Sequence, residues 1–398
     1  MGSAEPEVWR LSRGKTARYP EGAKRRAHLL PAAGHGICRS QRRAAVLFGA
    51  GRRAGRLYPG DDTVSRFGAT ILDAEGLRLT AEEKAFFRDA DPFGFILFAR
   101  NVESPEQLAA LCAEMREAVG REAVITIDQE GGRVQRLRAP LWRDWAPPLE
   151  QVERAGAEAE RVMYLRYRII AHELRAVGID SNCAPLVDVA TTQTHPFLRN
   201  RCYGESAETV ARIGRAVAEA HLDGGVLPVV KHTPGHGRAQ SDSHLELPRV
   251  DAVKSALQEV DFMPFRALCD MPFGMTAHVV YEALDTGPAT LSPVVMAMIR
   301  DEIGFGGLIM SDDISMKALA GDLGDLSREA IAAGCDVVLH CNGTLGEKRL
   351  VAEAAGRMGE AAQTRAERAL AARQAPGEID IAALEAEFEA LAKGAVDG

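Results

Sequence analysis

GVLPVVKHTPGHG, residues 225–237, is almost unbroken in its apolar character as far as Val230, then delivers Lys231 and His232 and turns at Pro234-Gly235. An apolar run of this length closed by a Pro-Gly turn reads as a strand buried on both faces, and strands of that kind belong to parallel sheets covered by helices. The fold therefore depends on whether the chain repeats the pattern. It does: ATILDA (69–74), GFILFA (94–99), AVITID (123–128), IDSNCAPLVDV (179–189), FGMTAHVV (273–280), GLIMSD (307–312) and DVVLH (336–340) are runs of the same type, giving eight candidate strands. Amphipathic stretches at 105–119, 152–177, 207–223, 250–268 and 292–303 lie between them with apolar residues at helical spacing. Eight such units close a (β/α)8 barrel of the TIM type. An open doubly wound sheet would carry a Gly-rich nucleotide turn after its first strand, and no G-x-G-x-x-G follows ATILDA. Two further Ala- and Glu-rich helical stretches, 346–370 and 380–393, are expected to close the outside of one α/β domain spanning 67–398.

The 398-residue chain is long enough for a sizeable core. No run is long and apolar enough for a membrane span, and no secretory pattern opens the chain, so the expectation is a cytoplasmic protein with no membrane partner. The seven cysteines are scattered without a C-x-x-C pair, which speaks against a disulfide framework or a zinc knuckle. The net charge of −8 is unevenly spread. Residues 1–60 hold thirteen Lys/Arg against three Asp/Glu, a balance of about +10 that leaves about −18 for the rest. The acidic body excludes general nucleic-acid binding. The arm, residues 1–66, has no apolar periodicity and is broken by Gly and Pro, so it reads as a disordered basic tail.

In a barrel of this kind the active site lies at the C-terminal ends of the strands. Those ends are polar here: Arg100 and Asn101, Asp128, Asp188, Lys231 and His232, His278, Ser311 with Asp312 and Asp313, and His340 with Asn342. So many polar residues on one rim imply a shared pocket. Asp312 directly follows an apolar strand, where an ionised acid persists only beside cations or donors, and Lys231, Arg136 and Arg201 are candidate partners. The competing reading is that Ser311, Asp312 and Asp313 cap a following helix; position alone leaves both open. Beyond Lys231 and His232 a loop of about ten residues carries Asp242 and His244 before the chain becomes extended again. Two positions apart on an irregular loop, the Asp242 carboxylate can take the His244 Nδ1–H and leave Nε2 facing the pocket, which suits proton transfer. A zinc site on His232, His236 and His244 is the alternative, opposed by Lys231 beside it and by a spacing that matches no compact metal signature.

The segments ILFARN (96–101), IDQEGGRVQRL (127–137), RCYG (201–204), KHTPGHG (231–237) with DSH (242–244), MTAHVVY (275–281) and GFGGLIMSDDISM (304–316) resemble family 3 glycoside hydrolases over residues 67–370. The resemblance implies a retaining β-N-acetylglucosaminidase that releases terminal N-acetylglucosamine from peptidoglycan fragments (muropeptides) with no metal or organic cofactor, acting as a monomer on a small sugar substrate. It implies Asp312 as the nucleophile, His244 as general acid/base with Asp242 as its partner, and Asp128, Arg136, Arg201, Lys231 and His232 as sugar-binding residues. The acid/base is then an imidazole rather than a second carboxylate, so carboxyl separation does not predict stereochemistry. The chain departs from the family pattern at Thr233, at Cys202 and in the arm. Three other readings stand beside it: a phosphorylase of the same family, in which phosphate replaces water as acceptor; the zinc-dependent barrel hydrolase; and a sugar-binding protein without turnover.

Overall fold

The computed structural model describes residues 66–241 and 246–393. Residues 1–65 of the basic arm lie outside the described residues, as do Asp242 and His244.

Eight strands form the barrel: β1 (Gly68–Asp73), β2 (Pro92–Leu97), β3 (Val124–Ile127), β4 (Ser181–Asn182), β5 (Leu227–Thr233), β6 (Phe273–Thr276), β7 (Leu308–Asp313) and β8 (Val337–His340). All neighbours pair in parallel, in the order β3-β2-β1-β8-β7-β6-β5-β4, so chain order runs round the ring. The gap between β3 and β4 is bridged by Asp180 N–H to Ile125 O at 3.2 Å and Cys183 N–H to Ile127 O at 2.9 Å. β4 is short because Pro185 has no N–H to give the ladder; beyond it the pairing resumes, with Lys231 N–H on Pro185 O at 3.1 Å and Val187 N–H on Lys231 O at 2.8 Å. Every residue of the eight strands is buried except Asp312 and Asp313, which are half-buried where β7 reaches the rim.

The outer layer is helical: α1 (Ala81–Ala90), α2 (Pro105–Val119), α3 (Pro148–Ala155), α4 (Ala159–Ala176), α5 (Ala207–Asp223), α6 (Pro293–Met298), α7 (Leu323–Ala333), α8 (Leu345–Ala355), α9 (Glu360–Ala371) and α10 (Ile381–Lys393). Their starts follow from local chemistry. Ser104, Ser206, Asp322 and Thr344 each accept a hydrogen bond from the first turn of the helix they precede, supplying orphan donors that would otherwise face a poor solvent. Three long helical stretches expected from periodicity are broken. The 152–177 pattern is interrupted around Gly156, between α3 and α4. The 250–268 pattern becomes helical at Lys254, widens into an i→i+5 turn over Leu257–Asp261 and restarts at Met263 before Pro264. The 346–370 pattern splits at Gly356, whose carbonyl accepts from Ala69 while Met358 donates to Phe67; this stretch leaves the helix to close the bottom of β1.

Among the described residues the core is one large cluster of aliphatic and aromatic side chains from strands and helices, with a small second cluster of Leu186, Ala190, Leu198 and Cys202 beyond β4. α10 covers α3 and α4, setting Phe388 edge-on to Trp145 at 5.3 Å and pairing Glu387 with Arg161 at 2.7 Å. Among the described residues no helix is long and apolar enough to cross a membrane.

Candidate active site

The C-terminal rim opens into a cavity of about 450 Å3, lined by Asp128, Arg136, Arg201, Lys231, His232, His236, Asp312 and Asp313 with the apolar Ile96, Met275 and Leu339. Six of the eight predicted site residues therefore share one pocket. The other two, Asp242 and His244, lie outside the described residues, although Ser241 at the edge of that gap lines the same cavity.

Its electrostatics rest on a chain of alternating charges. Lys231, buried at the end of β5, sets Nζ 3.0 Å from Asp128 and 2.6 Å from Glu130. Arg136 pairs with Asp128 at 2.9 Å, and Arg201 grips Glu130 through Nε and Nη2 at 2.9 and 2.8 Å. Such two-point contacts fix orientation as well as charge. Burial alone would raise both acids, but Lys231 and Arg136 hold Asp128 well below the usual carboxylate range, and Arg201 with Lys231 brings Glu130 to about 2. The same contacts overcome the burial of Lys231 and Arg201 and hold both above their ordinary values. Glu130 had no assigned role in the sequence. A signal was present, since two buried cations on one rim demand more than one carboxylate.

This pairing corrects one expectation. Arg136 and Arg201 do not partner Asp312; they are committed to Asp128 and Glu130. Asp312 is served instead by Asp313 N–H, 2.8 Å from Oδ1. Burial pushes its pKa up, and His278, His232, the Asp313 N–H and Lys231 more than offset that, leaving it below the usual carboxylate range. Nor does the Ser311–Asp313 segment cap a helix. Asp322 caps α7, and Asp313 Oδ1 accepts from Ser315 N–H at 3.1 Å, Ser315 Oγ at 2.8 Å and Cys341 N–H at 3.1 Å, tying β7 to the end of β8.

Burial raises Asp313 to about 6. With the folded value above the unfolded one, its contribution to stability is present below about pH 4 and is lost as the pH rises through 6. Asp313→Asn keeps an oxygen for all three donors and removes the charge. Urea unfolding of both proteins from pH 4 to 7 should show the wild-type advantage over D313N falling by up to about 2 kcal/mol.

Asp188 anchors the start of the loop after β5. Its Oδ2 lies 2.8 Å from His232 Nδ1, and its Oδ1 accepts from the backbone N–H of His232 at 3.2 Å and of His236 at 2.7 Å. Gly237 packs so closely on Val189 that a Cβ there would stand 1.8 Å from the Val189 carbonyl oxygen. Thr194 Oγ1 donates to Gly237 O at 2.5 Å, His195 N–H to Ala239 O at 3.1 Å, and Arg238 pairs with Asp261 at 2.7 Å. His236 is pushed down to about 4 by burial and by His232 beside it, so it is neutral in the working range. The zinc alternative calls on His244, which lies outside the described residues; among the described residues no three His, Cys, Asp or Glu side chains gather as a metal site.

Other rim residues expected in the pocket brace it instead. Arg100 pairs with the buried Asp73 and with Asn342, Asn101 donates to Ala74 O and Gly76 O, and Ser311 Oγ accepts from Leu339 N–H at 2.9 Å. Across the mouth, Arg133 stacks on Phe197 beside His195.

Residues 68–371 match the family described as glycosyl hydrolase family 3 N terminal domain. The chain is 39% identical over 282 residues to a beta-hexosaminidase of Alkalilimnicola ehrlichii, covering 69% of this chain and 81% of that protein. It is 38% identical over 285 residues to one of Neisseria meningitidis serogroup B, covering 69% and 78%. Among solved structures it is similar to NagZ from Neisseria gonorrhoeae in complex with N-trifluoroacetyl-D-glucosamine, with a TM-score of 0.70 and 33% identity over 82% of this chain and 98% of that one. An eight-stranded barrel whose rim gathers an ionised aspartate and a lattice of paired acids and bases, matched along nearly its whole length, thus makes this chain a glycoside hydrolase belonging to glycosyl hydrolase family 3.

Proposed function

We propose that this glycoside hydrolase is an exo-acting, retaining β-N-acetylhexosaminidase. Its substrate is the terminal non-reducing N-acetylglucosamine of peptidoglycan fragments that end in 1,6-anhydro-N-acetylmuramic acid, with or without peptide, and its setting is cytoplasmic cell-wall recycling. The observation that carries the reading is Asp312: an acid at the tip of β7 that lines a cavity of about 450 Å3 together with Lys231, His232 and Arg136, its pKa held below the usual carboxylate range by His278, His232, the Asp313 N–H and Lys231 against the effect of burial. The names of the relatives and the glucosamine derivative held by the similar structure support the choice of sugar.

In this reading an Asp312 oxygen attacks the anomeric carbon while His244 gives its proton to the departing glycosidic oxygen. The carbon–oxygen bond to the leaving group breaks, and an ester to Asp312 takes its place. His244 then removes a proton from water, the hydroxide oxygen bonds to the same carbon, and the ester is cleaved, so two inversions give retention. Asp242 orients the imidazole. Asp128, Arg136, Arg201, Lys231 and His232 bind the ring hydroxyls, and the fixed pairs Lys231–Asp128 and Arg201–Glu130 hold those contacts in place before the sugar arrives.

Trapping tests the assignment. A 5-fluoro N-acetylglucosaminyl donor should inactivate the enzyme with a stoichiometric mass increase, and peptide mapping should place the label on Asp312. A label on another residue, or turnover without any trapped species, would refute it.

A further inference from the structure

His278 follows the end of β6 yet is almost wholly enclosed, at 1% exposure. Its Nε2 lies 2.9 Å from the Asp313 carbonyl oxygen. Its Nδ1 lies 2.8 Å from Thr290 Oγ1, which in turn is 2.8 Å from Thr276 Oγ1 and 3.2 Å from Ala277 O. A carbonyl can only accept, so Nε2 carries a hydrogen. The hydroxyl beyond it serves either charge state of the ring. If the imidazole is neutral, Thr290 donates to Nδ1 and accepts from Thr276; if it is protonated, Nδ1–H donates to Thr290 and that hydroxyl turns to Ala277 O. The bond to Asp313 survives in both.

Asp313 is thus held on three sides. Its carboxylate takes Ser315 and Cys341, its carbonyl takes His278, and its N–H is left pointing at Asp312 Oδ1. His278 also leads the neighbours that offset the burial of Asp312, ahead of His232 and Lys231. Asp313 adds an opposing like charge, and His340 stands 4.0 Å behind it.

We propose that His278 is a positioning residue for the reaction at Asp312: by fixing the Asp313 carbonyl it aims the Asp313 N–H at Asp312 Oδ1 and leaves Oδ2 as the attacking oxygen. The inference rests on Asp312 being the nucleophile. It makes a separate claim, that the aim of this carboxylate is set from β6, through a side chain that does not line the cavity.

The test measures the rate of trapping by the 5-fluoro donor rather than its occurrence. In His278→Leu the label should still reach Asp312, but about 10- to 100-fold more slowly, with the Kd for N-acetylglucosamine within about threefold of wild type. His278→Gln, whose amide N–H stands near the position of Nε2, should recover most of the rate. Should H278L fail to fold, Thr290→Val carries the test. It loosens the ring without removing it and should slow trapping about 3- to 10-fold. Wild-type trapping rates in the folded variants, a loss confined to Kd, or no recovery in H278Q would each overturn the role of His278. A wild-type enzyme labelled away from Asp312 would instead refute the nucleophile, and this proposal with it.

Discussion

Asp312→Ala should lower kcat on p-nitrophenyl β-N-acetylglucosaminide by about 10⁴-fold or more, the scale seen when a covalent nucleophile is removed. Affinity for N-acetylglucosamine should stay within about threefold, because the residues that grip the ring are anchored to one another and not to Asp312. The fold should survive as well. Asp312 makes one backbone hydrogen bond and is a desolvated charge, so its removal takes away a cost along with a contact. An inactive, folded, sugar-binding variant is therefore expected. Activity close to wild type in D312A would remove the covalent mechanism outright.

Glu130→Gln should produce the largest loss of stability. The Glu130 carboxylate is 1% exposed and joins two cations that are themselves enclosed, Lys231 and Arg201. Taking its charge away leaves both poorly compensated, which costs about 3–5 kcal/mol. Linkage gives the same scale and the sign. A folded value near 2 means the contribution is complete above the ordinary carboxylate range and fades as the pH falls toward 2. E130Q should melt about 10 °C lower at pH 7, and the gap to wild type should close in acid. Activity should fall too, since Lys231 and Arg201 would lose the brace that holds them at the sugar; a melting temperature unchanged at pH 7 would contradict this account.

The barrel was legible because its strands are apolar throughout and so announce themselves without alternation. α2 and α5 were legible to the residue for a related reason: Ser-Pro and Ser-Ala starts at 104–105 and 206–207 mark their beginnings. α1 and α7 were not named. α1 buries only Glu83, Phe86 and Phe87 among its residues, and α7 hides much of its inner face behind Gly, Ser and Ala. Breaks within the long amphipathic stretches escaped because a periodicity does not record where tertiary partners, such as Phe67 and Ala69 for 356–358, draw the chain out of a helix.

Four of the six site residues, Asp128, Lys231, His232 and Asp312, end a strand or sit just beyond one, so the ring geometry gathers them; Arg136 and Arg201 reach the same pocket from the loops that follow β3 and β4. The partners of those residues were harder to find. Arg136 and Arg201 could have served any acid on the rim, and which acid they reach is decided by side-chain length and by the turn after β3, which no spacing rule encodes. Asp188 was visible as a strand end, but its grip on His232 and His236 exists only once β4 and β5 are adjacent.

The grip of Asp188 has a consequence for how the enzyme can change. Because the stem from His232 to Ala239 is moored to the barrel through Asp188, Thr194 and His195, substitutions along it act on the sugar socket itself rather than on a detachable loop.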